Sequence, residues 1–184
     1  EQLRSFLSSF DRSTSRGLRD YAMALCLVEL GLRAGEVAHL CLDDIDWRES
    51  TIRIVGGKTR RSRLLPLSKR LGRAITAYLR HGRPHTPERR LFLRYTVPLG
   101  TPIGPEMVRG AVRRAYARSG MDARWTGTHI LRHTAATRIH QAGATLKEVA
   151  DLLGHGCIDT TAIYTKVNFS LLATVALPWP EVKS

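Results

Sequence analysis

His129, Arg132 and His133 fall within five consecutive positions, and each side chain can do chemistry. His129 and His133 are four apart, which on a helix puts two imidazoles on one face at a spacing compatible with zinc. Ile130 occupies the place that the metalloprotease pattern reserves for glutamate, and no third ligand accompanies the pair, so metal binding is disfavoured. His129 and Arg132 are three apart, on one face within the first turn of a helix, where free N–H groups and the helix dipole favour an anion. Arg33 lies at a helix junction with the same backbone advantage. Gly57-Lys58-Thr59 matches the end of a nucleotide-binding loop, but Ile52 stands where that pattern needs glycine, and a strand follows where a helix is required. A nucleotide site is therefore rejected, and Lys58 remains as a lysine at a hairpin tip, able to reach a phosphate from outside.

These groups need a scaffold, and the apolar pattern supplies one. Leu18, Tyr21, Ala22, Leu25, Val28 and Leu32 recur at helical spacing, with Gly31 as the stop and a second short helix over 34–40. The period then changes to that of strands over 51–55 and 62–67, joined by a hairpin turn at 56–61. Helix returns over 71–81; 82–90 is loop, 91–95 a short extended piece, and another loop runs through Pro98, Gly100 and Pro102. Val108, Ala111, Val112, Ala115 and Tyr116 form the stripe of a helix ended by Gly120. Thr128 is read as the N-cap of a helix closed by Gly143, and Thr145 with Glu148 as the capping box of one ending at Gly154. Asp159 caps a last helix holding Tyr164. The expected fold is mainly α with a small antiparallel β-sheet.

Composition addresses partners more than fold. The chain has 184 residues and a net charge of +13, with a pI near 10.6, so it attracts polyanions, of which nucleic acid is the commonest. The basic residues cluster at Arg60, Arg61, Arg63, Lys69, Arg70 and Arg73, and again as Arg109, Arg113, Arg114 and Arg118 on one helix. The longest apolar run, 21–28, falls far short of the ~20 residues of a membrane span. Cys26, Cys41 and Cys157 are odd in number and widely spaced, and read as reduced core thiols of a cytoplasmic protein. No signal peptide is present, and a start at Glu1 without methionine fits a fragment of something longer. Residues 145–167 also read as a helix-turn-helix, the mark of a non-catalytic DNA-binding protein, but that reading leaves Arg33, Lys58, His129 and Arg132 without a role.

Taken in order, these stretches resemble the tyrosine recombinase (integrase) family. Gly31-Leu32-Arg33-Ala34-Gly35-Glu36 looks like its first arginine box, and Lys58 falls on the hairpin where the family keeps a catalytic lysine. His129-Ile130-Leu131-Arg132-His133 is similar to its H-x-x-R box, Leu153-Gly154-His155 to its L-G-H box, and Thr160-Thr161-Ala162-Ile163-Tyr164 to the segment bearing its nucleophile. Any single box is weak; five in order are specific. The resemblance implies the catalytic-domain fold of that family over 1–167, a tail over 168–184 that docks on a neighbouring protomer, and an amino-terminal DNA-clamping domain absent from this chain.

It also implies a reaction. Tyr164 is the nucleophile, forming a 3'-phosphotyrosyl bond and releasing a 5'-hydroxyl. Arg33 and Arg132 clamp the scissile phosphate, His155 adds a hydrogen bond to it, His129 is the candidate base and Lys58 the acid for the leaving oxygen. Glu36 braces an arginine. Arg60, Arg61, Arg109, Arg113, Arg114 and Arg118 are expected to meet DNA. Neither metal nor cofactor is needed, because the cations neutralise the phosphate and the covalent bond conserves the energy of the cut. The implied partners are double-stranded DNA and further copies of the chain, as a tetramer. A type IB topoisomerase, which reseals the same strand, is the nearer alternative; a helix-turn-helix binding protein is the more distant one.

Overall fold

A computed structural model describes residues 2–56, 62–120 and 127–154. Its elements are α1 (Gln2–Ser8), α2 (Ser15–Glu29), α3 (Ala34–His39), a single 3-10 turn (Leu42–Asp44), β1 (Ile45–Asp46), β2 (Thr51–Val55), β3 (Ser62–Pro66), α4 (Lys69–His81), α5 (Pro105–Arg118), α6 (Thr128–Gln141) and α7 (Leu146–Leu153). The expected mainly helical architecture with a small antiparallel sheet is what is found. β1 and the first helix, α1, were not marked by the sequence pattern.

Helix α2 is the axis of the fold. Thr14 caps it, its hydroxyl accepting the Gly17 N–H at 3.0 Å. The periodicity calls for one buried face, yet every residue from Arg19 to Val28 is buried. The reason is tertiary: α3, α4, α5 and α6 all pack against α2, so no side is left for water. Burying each of its large apolar side chains, such as Leu25 and Leu27, contributes about 1.5–3 kcal/mol. Polar groups caught there are satisfied. Arg19 donates to Asp20 Oδ1 at 2.7 and 2.9 Å and to the Leu93 carbonyl at 2.8 Å, and Arg114 of α5 pairs with the other Asp20 oxygen at 3.4 Å.

The sheet has the order β1-β2-β3, antiparallel throughout. Across β2 and β3, Ile52 faces Leu65 and Ile54 faces Arg63. Ile52, Ile54 and Leu65 point into the core, so the pleat turns Arg63 the same way. The outward Arg53 instead meets Asp44 at 3.3 Å.

Two local expectations are corrected. Thr128 is the first residue of α6 and Gly127 its cap, with no side-chain hydrogen bond at that position. Cys26 is buried, but Cys41 is partly exposed, because it begins the 3-10 turn at the surface, where its N–H donates to Asp44. The Thr145 and Glu148 capping box is present, and Gly154 ends α7 with φ +69°, a left-handed conformation suited to glycine. Among the described residues no helix is long and apolar enough to cross a membrane.

Candidate active site

The junction between α2 and α3 is where several of the candidate residues meet. Gly31 takes φ +61°, and a Cβ there would sit 2.5 Å from Leu153 Cδ2 of α7. Glycine thus lets the turn lie directly on α7 while it reverses the chain, placing Arg33 as the N-cap of α3. Glu36, one turn on, closes the cap: its Oε2 accepts the Arg33 N–H at 2.7 Å, and its Oε1 lies 3.4 Å from Arg33 Nη1. The Arg33 side chain remains 49% exposed.

Arg132 comes from the second turn of α6 and is buried. Its Nη1 donates to the Gly31 carbonyl at 2.6 Å and its Nη2 to the Leu153 carbonyl at 2.5 Å. One guanidinium therefore ties the α2–α3 turn to the end of α7. Of its five N–H hydrogens, three remain for another acceptor. Burial lowers its pKa from the ordinary guanidinium value to about 10, with Arg33 and Arg63 pushing the same way and Glu36 opposing them. At neutral pH it stays charged. Arg33 and Arg132, 99 positions apart in sequence, are thus brought into one electrostatic cluster.

A third guanidinium belongs to it. Arg63 of β3 places Nη2 2.9 Å from Glu36 Oε2, with both side chains close to 10% exposed. The cluster holds three cations and one carboxylate, and its excess positive charge suits a phosphodiester. Arg63 carried no role in the sequence reading beyond membership of a basic cluster. Its signal was the strand period: it alternates with Leu65 and Leu67, both buried, so an arginine stands at an inward position.

His129 is exposed in the first turn of α6, one turn before Arg132. Lys58, Arg60, Arg61, His155 and Tyr164 lie outside the described residues, as do Cys157, the second helix of the helix-turn-helix reading and the tail. On α5, Arg109, Arg113, Arg114 and Arg118 are all exposed, but three have partners within the chain. Arg109 pairs with Glu106, Arg114 with Asp20, and Arg118 Nε donates to the Ser9 carbonyl at 2.9 Å. Among the described residues no group of three or more His, Cys, Asp or Glu side chains could hold a metal ion.

Comparison with known proteins adds an independent line. The profile of the phage integrase family matches residues 1–170. The chain is 47% identical over 174 residues to the integrase/recombinase y4rA of Sinorhizobium fredii, covering 95% of this chain and 42% of that protein. To y4gC of the same organism, also named integrase/recombinase, it is 40% identical, covering 98% of this chain and 93% of the relative. To the tyrosine recombinase XerC 2 of Ralstonia nicotianae it is 33% identical, covering 95% of this chain and half of the relative. The chain thus spans under half of y4rA and nearly all of y4gC. Among solved structures, XerA recombinase superposes with a TM-score of 0.74 at 26% identity, covering 95% of this chain and 61% of that one. XerH site-specific recombinase bound to its difH substrate, in a pre-cleavage complex, gives 0.68 at 26%, covering 94% and 51%.

Proposed function

The chain belongs to the phage integrase family, and on that premise we propose that it is the catalytic domain of a site-specific tyrosine recombinase that cuts and rejoins DNA. The observation that carries the reading is the convergence of Arg33 and Arg132 beside Glu36 and Arg63. Two guanidiniums 99 positions apart in sequence join one charged cluster with a single carboxylate, which leaves a surplus of positive charge for a phosphate.

In the proposed reaction, the scissile phosphodiester sits between Arg33 and Arg132, whose N–H groups neutralise its non-bridging oxygens as charge builds in the transition state. Arg132 is held by two carbonyls and needs no rearrangement to act. Tyr164 Oη attacks phosphorus, giving up its proton to His129, while the bond to the 5'-oxygen breaks and Lys58 protonates that oxygen. The products are a 3'-phosphotyrosyl bond and a free 5'-hydroxyl. Attack by a 5'-hydroxyl from another duplex reverses the step and completes exchange. His155 donates to the same phosphate, and exposed arginines such as Arg113 contact the DNA backbone. Double-stranded DNA is the substrate, and a tetramer of chains the exchanging unit. Relatives named XerC and XerH recombinase favour exchange over simple relaxation.

A duplex nicked near the cleavage position, from which the cut fragment diffuses away, tests this directly. Incubated with candidate sites and denatured, the chain should carry covalently attached DNA, and Tyr164→Phe should not, with duplex affinity nearly unchanged. An adduct persisting in the Phe variant would remove Tyr164 as nucleophile; no adduct with any duplex, together with ordinary binding, would favour a non-catalytic DNA-binding role.

A further inference from the structure

Arg63 is placed where a leucine would be expected. It stands on β3 opposite Ile54 and two positions before Leu65, both in the core, and its side chain is 11% exposed. Its Nε and Nη2 are buried, and neither makes an aligned hydrogen bond among the described residues; the 2.9 Å contact of Nη2 with Glu36 is an ion pair without hydrogen-bond alignment. Holding a charge there is costly, and apolar replacement of such a pair is often neutral or stabilising. Stability alone does not call for this arginine, since Glu36 already has Arg33 as a partner.

The opposite end of the guanidinium lies against the turn that ends α7. A Cβ on Gly154 would fall 2.7 Å from Arg63 Nη1 and 3.2 Å from Cζ, so the guanidinium approaches the backbone immediately before His155. With Nε and Nη2 covered, most of the Arg63 guanidinium is turned to the protein and not to solvent. What it does is occupy Glu36 Oε2. The Arg33 guanidinium is then left with a long 3.4 Å contact to Oε1 and a half-exposed side chain.

We propose that Arg63 is a positioning residue of the phosphate site: by occupying Glu36 it keeps the Arg33 guanidinium from collapsing onto that carboxylate and leaves it free to clamp the phosphate. This rests on the reading of Arg33 and Arg132 as the phosphate clamp. Without Arg63, the existing 3.4 Å contact of Arg33 with Glu36 tightens onto both carboxylate oxygens, and the phosphate must compete more strongly with that carboxylate for its own ligand. The same side chain couples strand β3 to the α7 turn.

The test is a double-mutant cycle of Arg63→Met and Glu36→Gln in the whole chain. Arg63→Met keeps the aliphatic stem and should slow adduct formation on the nicked duplex by about 10-fold, with duplex affinity changed less than about twofold. In the Glu36→Gln background the same substitution should cost little more, because the carboxylate that captures Arg33 is gone. Arg63→Lys, which keeps a cation facing Glu36, should recover part of the rate, and carries the cycle if Arg63→Met does not fold. A second readout is the Arg33 15Nε resonance titrated with inorganic phosphate: its shift should weaken in Arg63→Met and return in the double variant. Effects of the two substitutions that simply multiply, with an unaltered phosphate response at Arg33, overturn the proposal. A wild-type chain that forms no adduct while the phosphate response still follows the cycle would refute the recombinase reading and leave the role of Arg63 standing.

Discussion

Replacing Arg132 with methionine separates what this residue does for the fold from what it does for the reaction. Methionine keeps most of the stem but removes the guanidinium that bonds the Gly31 and Leu153 carbonyls. Each buried carbonyl left without a donor costs about 1–3 kcal/mol. Against this, the arginine is itself an expensive occupant. Burial, with Arg33 and Arg63 adding to it, lowers its pKa from the ordinary guanidinium value to about 10, and at about 1.4 kcal/mol per unit the charged form is disfavoured there by on the order of 3 kcal/mol, a penalty the methionine variant escapes. The two effects largely offset, so the expected net loss of stability is at most about 3 kcal/mol. From an ordinary starting stability of about 5–15 kcal/mol, the variant remains folded. The reaction has no such compensation. Removing one preorganised donor to a charged transition state should lower the rate by ~10²–10³-fold. Urea unfolding gives the first quantity and single-turnover adduct formation on the nicked duplex the second. A stability loss beyond about 3 kcal/mol would show that the two effects do not offset as reasoned; an adduct rate within about fivefold of wild type would refute the clamp, given the scale expected for a lost donor.

Other outcomes follow from the same physics. Gly31→Ala should destabilise by about 1–2 kcal/mol for its positive φ and by up to about 3 kcal/mol more for the approach to Leu153; a change below about 0.5 kcal/mol, within the usual range for surface sites, would mean that the turn relaxes freely. Lys58→Ala should cleave an ordinary duplex poorly but regain much of its rate when sulfur replaces the bridging 5'-oxygen, because a thiol ionises near ~8.5 and leaves without a proton; equal impairment on both substrates would make Lys58 an electrostatic contact instead of the acid. Duplex affinity should fall by ~10³-fold or more between about 50 and 200 mM salt if at least six phosphates are neutralised, and a salt-insensitive Kd would contradict a phosphate-dominated interface. Burial raises the pKa of the Glu29 carboxyl, with the Ser68 hydroxyl and Arg70 opposing. A carboxyl whose folded pKa is raised binds its proton more tightly when folded, so stability should decline as pH rises through that range, and Glu29→Gln should abolish the step; parallel urea profiles of the two proteins from pH 4 to 8 would show that Glu29 does not titrate with folding.

Local chemistry made much of this molecule legible from its residues in order. The Thr145 and Glu148 pair marks a helix start because a hydroxyl and a carboxylate satisfy N–H groups that the helix leaves open, whereas the Thr14 and Ser68 caps emerged only with the structure. The two longer strands follow from alternation, and Gly31 and Gly154 mark turns that need positive φ. Arg33, Glu36 and Arg132 stood out by motif and spacing. Burial of α2 on every side could not be read from one stripe of apolar residues, since its other faces are covered by α4, α5 and α6, which arrive from later in the chain. Nor could the pairing of Arg132 with the carbonyls of Gly31 and Leu153 or that of Arg63 with Glu36, because backbone carbonyls carry no residue identity and the Arg63–Glu36 contact spans 27 positions with no motif to announce it. Sequence specifies which groups can carry charge and where the chain must turn; only close packing of distant segments decides which of those charges meet, as where one carboxylate pairs with both Arg33 and Arg63 beside the buried Arg132.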